Sequence, residues 1–294
     1  MHGADAGVTK AFAGDGMPSE GMSSDGPGGD DGLPFDDRGL AYGDGLFETV
    51  LVRDGRPMLW PEHLARLEWG CRVLGMPAPP RGELEGIFSQ LAPGLLVLKI
   101  VYTRGSGGRG YGLPDDTVPR LRWRASPFAP QPQRWREGVR VRLCEMTLSR
   151  QPRLAGIKHL ARLENVLARA EWSDPEVAEG LVGDGEGHIV EATSMNLFWC
   201  DADGPPMTPA LEACGVAGTL RQSLIDAAQV AVGTLPRARL GHCRALWVGN
   251  SVQGVWPVRR LEDETGALLG HWPVGDVHRS LQRQAHAWLG YPEV

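Results

Sequence analysis

The side chains with the clearest chemical potential in this 294-residue sequence are its lysines, because arginine supplies nearly all of its positive charge. Only three of the 30 basic residues are lysine, namely Lys10, Lys99 and Lys158. A lysine amine can lose its proton and condense with an aldehyde, whereas arginine stays protonated. Lys158 lies between apolar neighbours at a predicted strand-to-helix junction, where a surface charge would not require lysine. It is the best candidate for a Schiff-base nucleophile, and an ordinary surface lysine is the alternative.

Three further features have the chemistry needed to hold an aldehyde cofactor that carries a phosphate. Glu191 is an acid within an apolar stretch, although a strand could also turn it toward solvent. A glycine-containing turn precedes Thr219 and Leu220 at the start of a predicted helix, so their amides could bind phosphate or simply begin a helix. Arg66 could supply a cation or be solvated. Together these residues indicate pyridoxal 5′-phosphate, whose ring nitrogen needs a carboxylate partner.

A glycine-rich loop at residues 105–110 contains the G-x-G-x-x-G pattern of dinucleotide sites. The residues that follow include Pro114 and break a helix instead of starting one, which argues against such a site. Arg104 and Arg109 could instead bind substrate carboxylates through their planar guanidinium groups. Two solvent-facing arginines on a tight turn remain the alternative interpretation.

Hydrophobic periodicity predicts the elements that must position these residues. The predicted strands are 46–52, 95–103, 119–125, 139–145, 189–199, 245–248 and 254–258, and the predicted helices are 61–75, 83–91, 162–172, 220–232 and 277–288. An Asp54-Gly55 pair predicts a hairpin turn after the first strand. Strands and helices mix without regular βαβ alternation, which favours an α+β fold with two domains over a doubly wound sheet.

Composition divides the chain into four parts. Residues 1–32 hold nine glycines with few large apolar side chains and predict a disordered tail. Residues 126–133 contain three prolines and predict a linker. We therefore expect an N-terminal α+β domain at 33–125 and a C-terminal cofactor-binding domain at 134–294.

The charge pattern excludes several classes of partner. The formal net charge is −6, and most of the acidic excess lies in the predicted tail, so the remaining chain offers no broad positive field to nucleic acid or anionic membranes. No apolar run approaches the roughly 20 residues of a membrane helix. Five scattered cysteines without a CxxC pair predict neither a disulfide framework nor a zinc site. We expect a cytoplasmic protein that acts on a small molecule, without a metal.

Six segments of the chain, in order, resemble the fold-type IV pyridoxal-phosphate enzymes, and among them the aminodeoxychorismate lyase family. The similar segments are 37–49, 62–67, 103–111, 156–165, 191–198 and 215–221. The Lys158, Glu191 and Gly-Asp-Gly segments are typical of the whole fold type. The glycine-rich loop and the Lys-His-Leu-x-Arg-Leu-Glu string look specific to the lyases.

The resemblance implies a role for each matching residue. Lys158 would form the Schiff base and shuttle protons, and Glu191 would pair with the pyridine nitrogen. The residues that would hold the phosphate are Arg66, Thr219, Leu220, Ser251 and Asn250. Arg109, and with it Arg104, would bind a substrate carboxylate. The resemblance also implies a small N-terminal domain, a larger barrel-like C-terminal domain, a cofactor in the cleft between them, and a homodimer.

The activity that this resemblance implies is conversion of 4-amino-4-deoxychorismate to 4-aminobenzoate and pyruvate, a step of folate biosynthesis. An aminotransferase of the same fold, acting on D-amino or branched-chain amino acids, is the alternative, because the same lysine and glutamate serve both reactions. A third possibility is a binding protein that has kept the fold without catalysis.

Overall fold

The computed structural model of this protein describes residues 32–202 and 204–294. The predicted tail at 1–32 therefore lies outside the described residues, apart from Gly32. Among the helices of the described ranges, none combines the length and the apolar character that a membrane span requires.

The first part of the described chain forms a four-stranded antiparallel sheet in the order β2-β1-β3-β4. Its elements are α1 (Arg38–Tyr42), β1 (Gly45–Arg53), β2 (Arg56–Pro57), α2 (Trp60–Leu74), α3 (Arg81–Phe88), β3 (Leu95–Thr103) and β4 (Arg120–Pro127). The turn between β1 and β2 is the predicted Asp54-Gly55 pair, and both residues have positive φ, as a tight hairpin requires. Helix α2 packs against β1 through its buried face, which includes His63 and Leu67.

The second part forms a larger sheet that closes on itself. Its elements are α4 (Pro132–Glu137), β5 (Val139–Thr147), α5 (Leu163–Arg169), β6 (Val177–Gly183), β7 (His188–Ala192), β8 (Asn196–Cys200), β9 (Met207–Pro209), α6 (Thr219–Asp226), β10 (Ala231–Gly233), β11 (Leu235–Pro236), a 3₁₀ helix (Arg237–His242), β12 (Ala245–Asn250), β13 (Gly254–Glu262), β14 (Leu268–His271) and α7 (Asp276–Leu289). Strands β8, β12, β13, β5, β6 and β7 are neighbours in that order. The ring closes where β7 pairs with β8, with Glu191 opposite Asn196. This is the predicted α+β architecture with a barrel-like second part.

Several predicted elements end a few residues away from the observed ends, and two differ more from the structure. The predicted strand 189–199 is divided into β7 and β8, because the hydroxyls of Thr193 and Ser194 turn inward and donate to the buried carboxylate of Glu179. The predicted helix 220–232 ends at Asp226, since Ala228 adopts a left-handed conformation and the chain continues into β10. Both differences come from tertiary contacts that local periodicity does not encode.

The segment expected to be a linker, residues 126–133, connects β4 of the small sheet to α4 of the second part. Strand β4 extends to Pro127 and α4 begins at Pro132, so only residues 128–131 lie outside these elements. The two apolar cores interlock beside this connection. Leu51 of the small sheet packs in the core of the barrel, whereas Ile157 of the second part packs in the core of the small sheet. This interlocking fixes the walls of the cleft between the two parts.

Candidate active site

A cavity of about 580 Å³ lies between the small sheet and the barrel. Phe47 and Thr49 of β1 and Val97 of β3 line its small-sheet side. The cavity brings together six of the nine residues predicted for the site, which are Lys158, Glu191, Arg66, Thr219, Asn250 and Ser251. Leu220 lies next to Thr219 in α6 and is buried. Neither Arg104 nor Arg109 lines this cavity.

The segment that carries Lys158 is hydrogen-bonded to both parts of the fold. The carbonyl of Lys158 accepts a hydrogen bond from the Phe47 amide at 3.0 Å, and the Leu160 amide donates to the Gly45 carbonyl at 3.0 Å. On the other side, the Gly156 amide donates to the Gly215 carbonyl at 2.8 Å. The backbone of Lys158 therefore fixes the position of this side chain at the junction.

Arg162 supports the Lys158 segment from the side of the barrel. Its Nε donates to the His159 carbonyl at 2.9 Å and one of its Nη groups donates to the Ile157 carbonyl at 3.0 Å. The arginine also lines the cavity, and sequence reasoning assigned it no role. Its place within the Lys-His-Leu-Ala-Arg string is the signal that could have identified it.

The amine of Lys158 lies in an environment that favours its neutral form. Its Nζ is 4.4 Å from the centre of the Phe47 ring. Burial, reinforced by the positive charge of Arg66, lowers the pKa of Lys158 to about 7. A substantial fraction of the amine is therefore unprotonated near neutral pH, as both a nucleophile and a general base require.

This environment makes the stability of the cofactor-free protein depend on pH. An unperturbed lysine has a pKa of 10.5, so between pH 7 and 10.5 the unfolded chain binds the proton that folded Lys158 lacks. Stability therefore rises with pH across this window, and burying Lys158 opposes folding most at or below pH 7. Lys158→Met should raise the Tm more at pH 7 than at pH 10, with about 2–4 °C for each kcal/mol gained. Thermal unfolding at the two pH values measures the difference.

Lys99→Met is the matched control for that measurement, because Lys99 is exposed. Its Tm change should be similar at both pH values. An equal gain for Lys158→Met at both pH values would contradict the lowered pKa.

Glu191 occupies the end of β7, where it is 3% exposed. Its Oε2 accepts a hydrogen bond from the Val216 amide at 2.8 Å. Gly215 approaches the same carboxylate at a φ of +87°, a conformation that favours glycine. Burial raises the pKa of Glu191, although the Val216 amide and the charges of Arg162 and Lys158 oppose that shift. The carboxyl group is thus suited to share a proton with a base placed in the cavity.

Arg66 lies on α2 and lines the same cavity. Its Nε and one Nη group form a bidentate ion pair with Glu48, at 2.8 and 2.5 Å. The other Nη group donates to the Ala217 carbonyl at 3.0 Å. Each Nη group carries a second N–H, and among the described residues those two N–H groups have no acceptor. They remain available to an anion.

Helix α6 begins beside Arg66, and its first amides have no acceptor within the helix. Thr219 and Leu220 are the first two residues of this helix, so their N–H groups suit a phosphate. Ser251 is buried and lines the same cavity. Asn250 lines it as well, but its Oδ1 accepts the Val252 and Gln253 amides at 2.9 and 2.7 Å. Asn250 thus shapes the turn between β12 and β13, and its carboxamide oxygen is already engaged.

Gly218 permits a close approach that fixes the start of α6. A Cβ atom at this position would lie 1.8 Å from Oδ1 of Asn196, whose Nδ2 donates to the Val216 carbonyl. Gly218→Ala should therefore destabilise the protein by about 2 kcal/mol and weaken cofactor binding. Chemical denaturation and a cofactor titration measure the two effects.

Gly86→Ala on α3 is the control, because no atom lies within 4 Å of a Cβ there. An alanine inside a helix should be neutral or stabilising. Equal stability of the two variants would show that Asn196 tolerates the extra atom.

The structure places Arg104, a predicted substrate contact, at the end of α2. Arg104 is 3% exposed and donates to Asp44 at 2.8 Å and to the carbonyls of Leu74 and Gly75 at 2.6 and 3.1 Å. These bonds satisfy the last turn of α2 and leave the guanidinium buried. Arg109, by contrast, is exposed on the glycine-rich loop, outside the described cavity.

Arg38 organises that loop, and sequence reasoning did not single it out. Its Nη1 donates to the carbonyls of Gly107, Gly110 and Gly112 at 3.3, 3.2 and 3.0 Å. Its Nε pairs with Asp44 at 2.9 Å. The loop is therefore held by a buried cation, and no helix follows it that could bind a dinucleotide.

Lys99 is a second lysine near the cavity. It pairs with Thr49 across β3 and β1, and its Nζ lies 5.2 Å from the centre of the Phe47 ring. Both lysines of the described chain thus contact one phenylalanine. Lys99 is exposed.

The cavity fits pyridoxal 5′-phosphate in three respects. A lysine with a lowered pKa is present to receive the aldehyde. A buried carboxylate, that of Glu191, lines the same cavity and suits the pyridine nitrogen. The N-terminus of α6 and the two unpaired N–H groups of Arg66 suit the phosphate.

Comparison with known proteins agrees with this geometry. Residues 45–261 match the class IV amino-transferase family, and the chain belongs to that family. The family consists of pyridoxal-phosphate enzymes, so the predicted enzyme class and cofactor are confirmed.

The more specific similarity is to lyases. The chain is 34% identical over 258 residues to aminodeoxychorismate lyase of Vibrio harveyi, covering 85% of this chain and 94% of the relative. It is 44% identical to the crystal structure of 4-amino-4-deoxychorismate lyase from Pseudomonas aeruginosa, with a TM-score of 0.80, covering 87% of this chain and 95% of the other. D-alanine aminotransferase of Listeria monocytogenes is 26% identical over 215 residues, covering 67% of this chain and 69% of the relative.

Proposed function

We propose that this protein is an aminodeoxychorismate lyase, which converts 4-amino-4-deoxychorismate to 4-aminobenzoate and pyruvate for folate biosynthesis. The observation that carries the proposal is the 44% identity to the Pseudomonas aeruginosa lyase, which extends over 95% of that chain. The cavity supports it, because the lysine, the carboxylate and the anion-binding helix start all face one space.

Pyridoxal 5′-phosphate, when bound, supplies an aldehyde that captures the substrate amine and a pyridine ring that withdraws electrons. Lys158 removes the proton from the carbon that bears the amine, since its pKa of about 7 leaves it partly unprotonated. Glu191 holds a proton at the pyridine nitrogen. Arg66, Ser251 and the amides of Thr219 and Leu220 bind the phosphate, and the turn formed by Asn250 positions Ser251.

The reaction balances without an oxidant or a second substrate. The C–H bond at the amine-bearing carbon breaks, its electron pair forms the last ring double bond, and the ether bond to the enolpyruvyl group breaks. The enolpyruvyl group takes up a proton and leaves as pyruvate, and the remaining ring is aromatic. Lys158 is the residue placed to remove and return protons.

The substrate carries two carboxylates, and two cations are proposed to meet them. Lys99 lies at the small-sheet wall beside Phe47. Arg109 is exposed on the loop that Arg38 holds in place. A planar guanidinium and an ammonium group would together bind both carboxylates.

An exposed apolar surface supports a homodimer. Leu163, Val166 and Leu167 of α5 are 75%, 59% and 56% exposed, and Leu40 and Tyr42 of α1 are 60% and 44% exposed. A cavity of about 710 Å³ lies between these helices. Contiguous exposed apolar residues of this kind mark association surfaces. Light scattering coupled to gel filtration should give twice the mass of one chain.

The five cysteines support a cytoplasmic location for the enzyme. All five are buried and unpaired in the structure. Free thiols persist in a reducing compartment, whereas oxidising compartments favour disulfides.

Enzymatically prepared aminodeoxychorismate tests the proposed activity. The holoenzyme should release 4-aminobenzoate and pyruvate in equal amounts. The similarity to D-alanine aminotransferase makes transamination the second candidate. Turnover of D-alanine with 2-oxoglutarate, without formation of aminobenzoate, would replace the lyase proposal with that activity.

A further inference from the structure

The imidazole of His63 joins two groups that the proposed mechanism treats separately. His63 lies on α2 and is completely buried. Its Nδ1 is 2.6 Å from a carboxylate oxygen of Glu48, and its Nε2 is 3.4 Å from Oγ1 of Thr219. A continuous chain of polar contacts therefore connects Glu48 on β1 to the first residue of α6.

The protonation states of this chain follow from its surroundings. Burial by itself would raise the pKa of Glu48, but the charge of Arg66 and the hydrogen bonds from Arg66 and His63 lower it to about 2. An ionised carboxylate only accepts hydrogen bonds, so Nδ1 of His63 carries a hydrogen. Burial lowers the pKa of His63 below its usual value. The ring is therefore neutral, and its Nε2 accepts the hydroxyl hydrogen of Thr219.

An anion at the start of α6 competes for that hydroxyl hydrogen. A phosphate oxygen beside Thr219 accepts hydrogen bonds and cannot donate once the phosphate is a dianion. If the Thr219 hydroxyl turned to the phosphate, Nε2 of neutral His63 would face an oxygen lone pair without a hydrogen between them. A buried acceptor in that position is unfavourable, and a proton on Nε2 removes the conflict.

We propose that His63 takes up one proton when a phosphate group binds at Thr219. The proton comes from solvent and binds Nε2, which then donates to Oγ1 of Thr219, while the Thr219 hydroxyl donates to the phosphate. The only new covalent bond is N–H, and no oxidation or reduction occurs. His63 is thus a positioning residue that turns the Thr219 hydroxyl toward the cofactor.

The charges around His63 are consistent with proton uptake on phosphate binding. Glu48 on β1 favours the protonated ring, whereas Arg66 on α2 and Lys158 on the adjoining segment oppose it. A dianion beside Arg66 offsets both of those positive charges. The inference rests on the phosphate placement in the proposed function.

Sulfate is the probe for the test, because it is a dianion that does not titrate near neutral pH and has no ring or aldehyde. The measurement is made on the full chain carrying Lys158→Met, so that the lysine amine cannot contribute protons. Calorimetric titrations in two buffers with different ionisation enthalpies give the number of protons taken up for each sulfate bound. We expect uptake of a large part of one proton.

Three further variants in the same Lys158→Met background locate that proton. His63→Gln should remove the uptake. Thr219→Val keeps the imidazole but lacks the hydroxyl, so it should remove the uptake as well, and Thr219→Ser should restore it. A merely structural role of His63 would not respond to the Thr219 hydroxyl in this way.

The outcomes separate this inference from the function on which it rests. If the Lys158→Met chain and its His63→Gln variant bind sulfate with equal proton uptake, this inference is wrong and the proposed function is unaffected. A lack of saturable sulfate binding would overturn the phosphate placement and this inference with it, whereas lyase activity is measured separately on the unaltered chain. If the His63→Gln variant does not fold, ¹⁵N NMR of the His63 imidazole in the Lys158→Met chain shows whether Nε2 becomes protonated. An Nε2 that stays unprotonated at saturating sulfate would contradict the proposal.

Discussion

Replacing Lys158 with alanine is expected to reduce aminodeoxychorismate turnover by at least about 1000-fold, because in the proposed function this one side chain supplies both the nucleophile and the general base. The same change should abolish covalent capture of pyridoxal 5′-phosphate by borohydride. Mass spectrometry of the peptide around residue 158, together with a 4-aminobenzoate assay, measures both effects. The cavity offers no other lysine at this position among the described residues.

Lys99→Ala is the matched control for this prediction. It removes the other lysine of the described chain, whose Nζ also lies near the Phe47 ring. This variant should keep the borohydride adduct on Lys158, and its KM should rise if Lys99 binds a substrate carboxylate. A full adduct in Lys158→Ala would identify another amine as the nucleophile and refute the assignment.

Glu191→Gln is expected to lower turnover by about 100-fold while leaving the borohydride adduct on Lys158 intact. An amide cannot hold a proton at the pyridine nitrogen, so the ring withdraws electrons less strongly and removal of the substrate proton becomes slower. The Val216 amide can still donate to the amide oxygen, which keeps the local fold. Single-turnover kinetics should place the loss in the proton-removal step.

Glu179→Gln provides the comparison, because Glu179 is another buried carboxylate that lines the cavity. It lies on β6 and accepts hydrogen bonds from Thr193 and Ser194, which form the turn between β7 and β8. Its replacement should affect stability more than proton removal. Equal kinetic losses in the two variants would mean that Glu191 has no special relation to the ring.

Most of the regular structure could be predicted from local patterns. The strand at 95–103 and the hairpin at Asp54-Gly55 match the structure, because alternation and turn chemistry are local signals. Local patterns did not predict the barrel closure, which only the family resemblance implied, since the closure depends on the pairing of β7 with β8 that follows from Glu179 binding two hydroxyls. Hydrophobic periodicity does not predict where an element ends when tertiary contacts of this kind set its end.

The candidate site shows the same division between features that local sequence predicts and features that tertiary contacts determine. Rare lysine usage and an acid in an apolar stretch indicated Lys158 and Glu191, and the structure places both at one cavity. The sequence did not separate Arg104 from Arg109, although the former is buried against the end of α2 and the latter is exposed. The burial of one of these arginines depends on carbonyl groups about thirty residues away in sequence. Residue type alone does not predict such long-range hydrogen bonds.

The hydrogen bonds that tie the Lys158 segment to both parts of the fold affect how cooperatively the protein unfolds. Its backbone is bonded to β1 on one side and to the Gly215 turn on the other. A cofactor held both by Lys158 and by the start of α6 would add a second connection across the same boundary. The holoenzyme should therefore unfold as one unit, whereas the cofactor-free chain can lose the small sheet before the barrel. In this protein the cofactor would be a structural cross-link as well as a reagent.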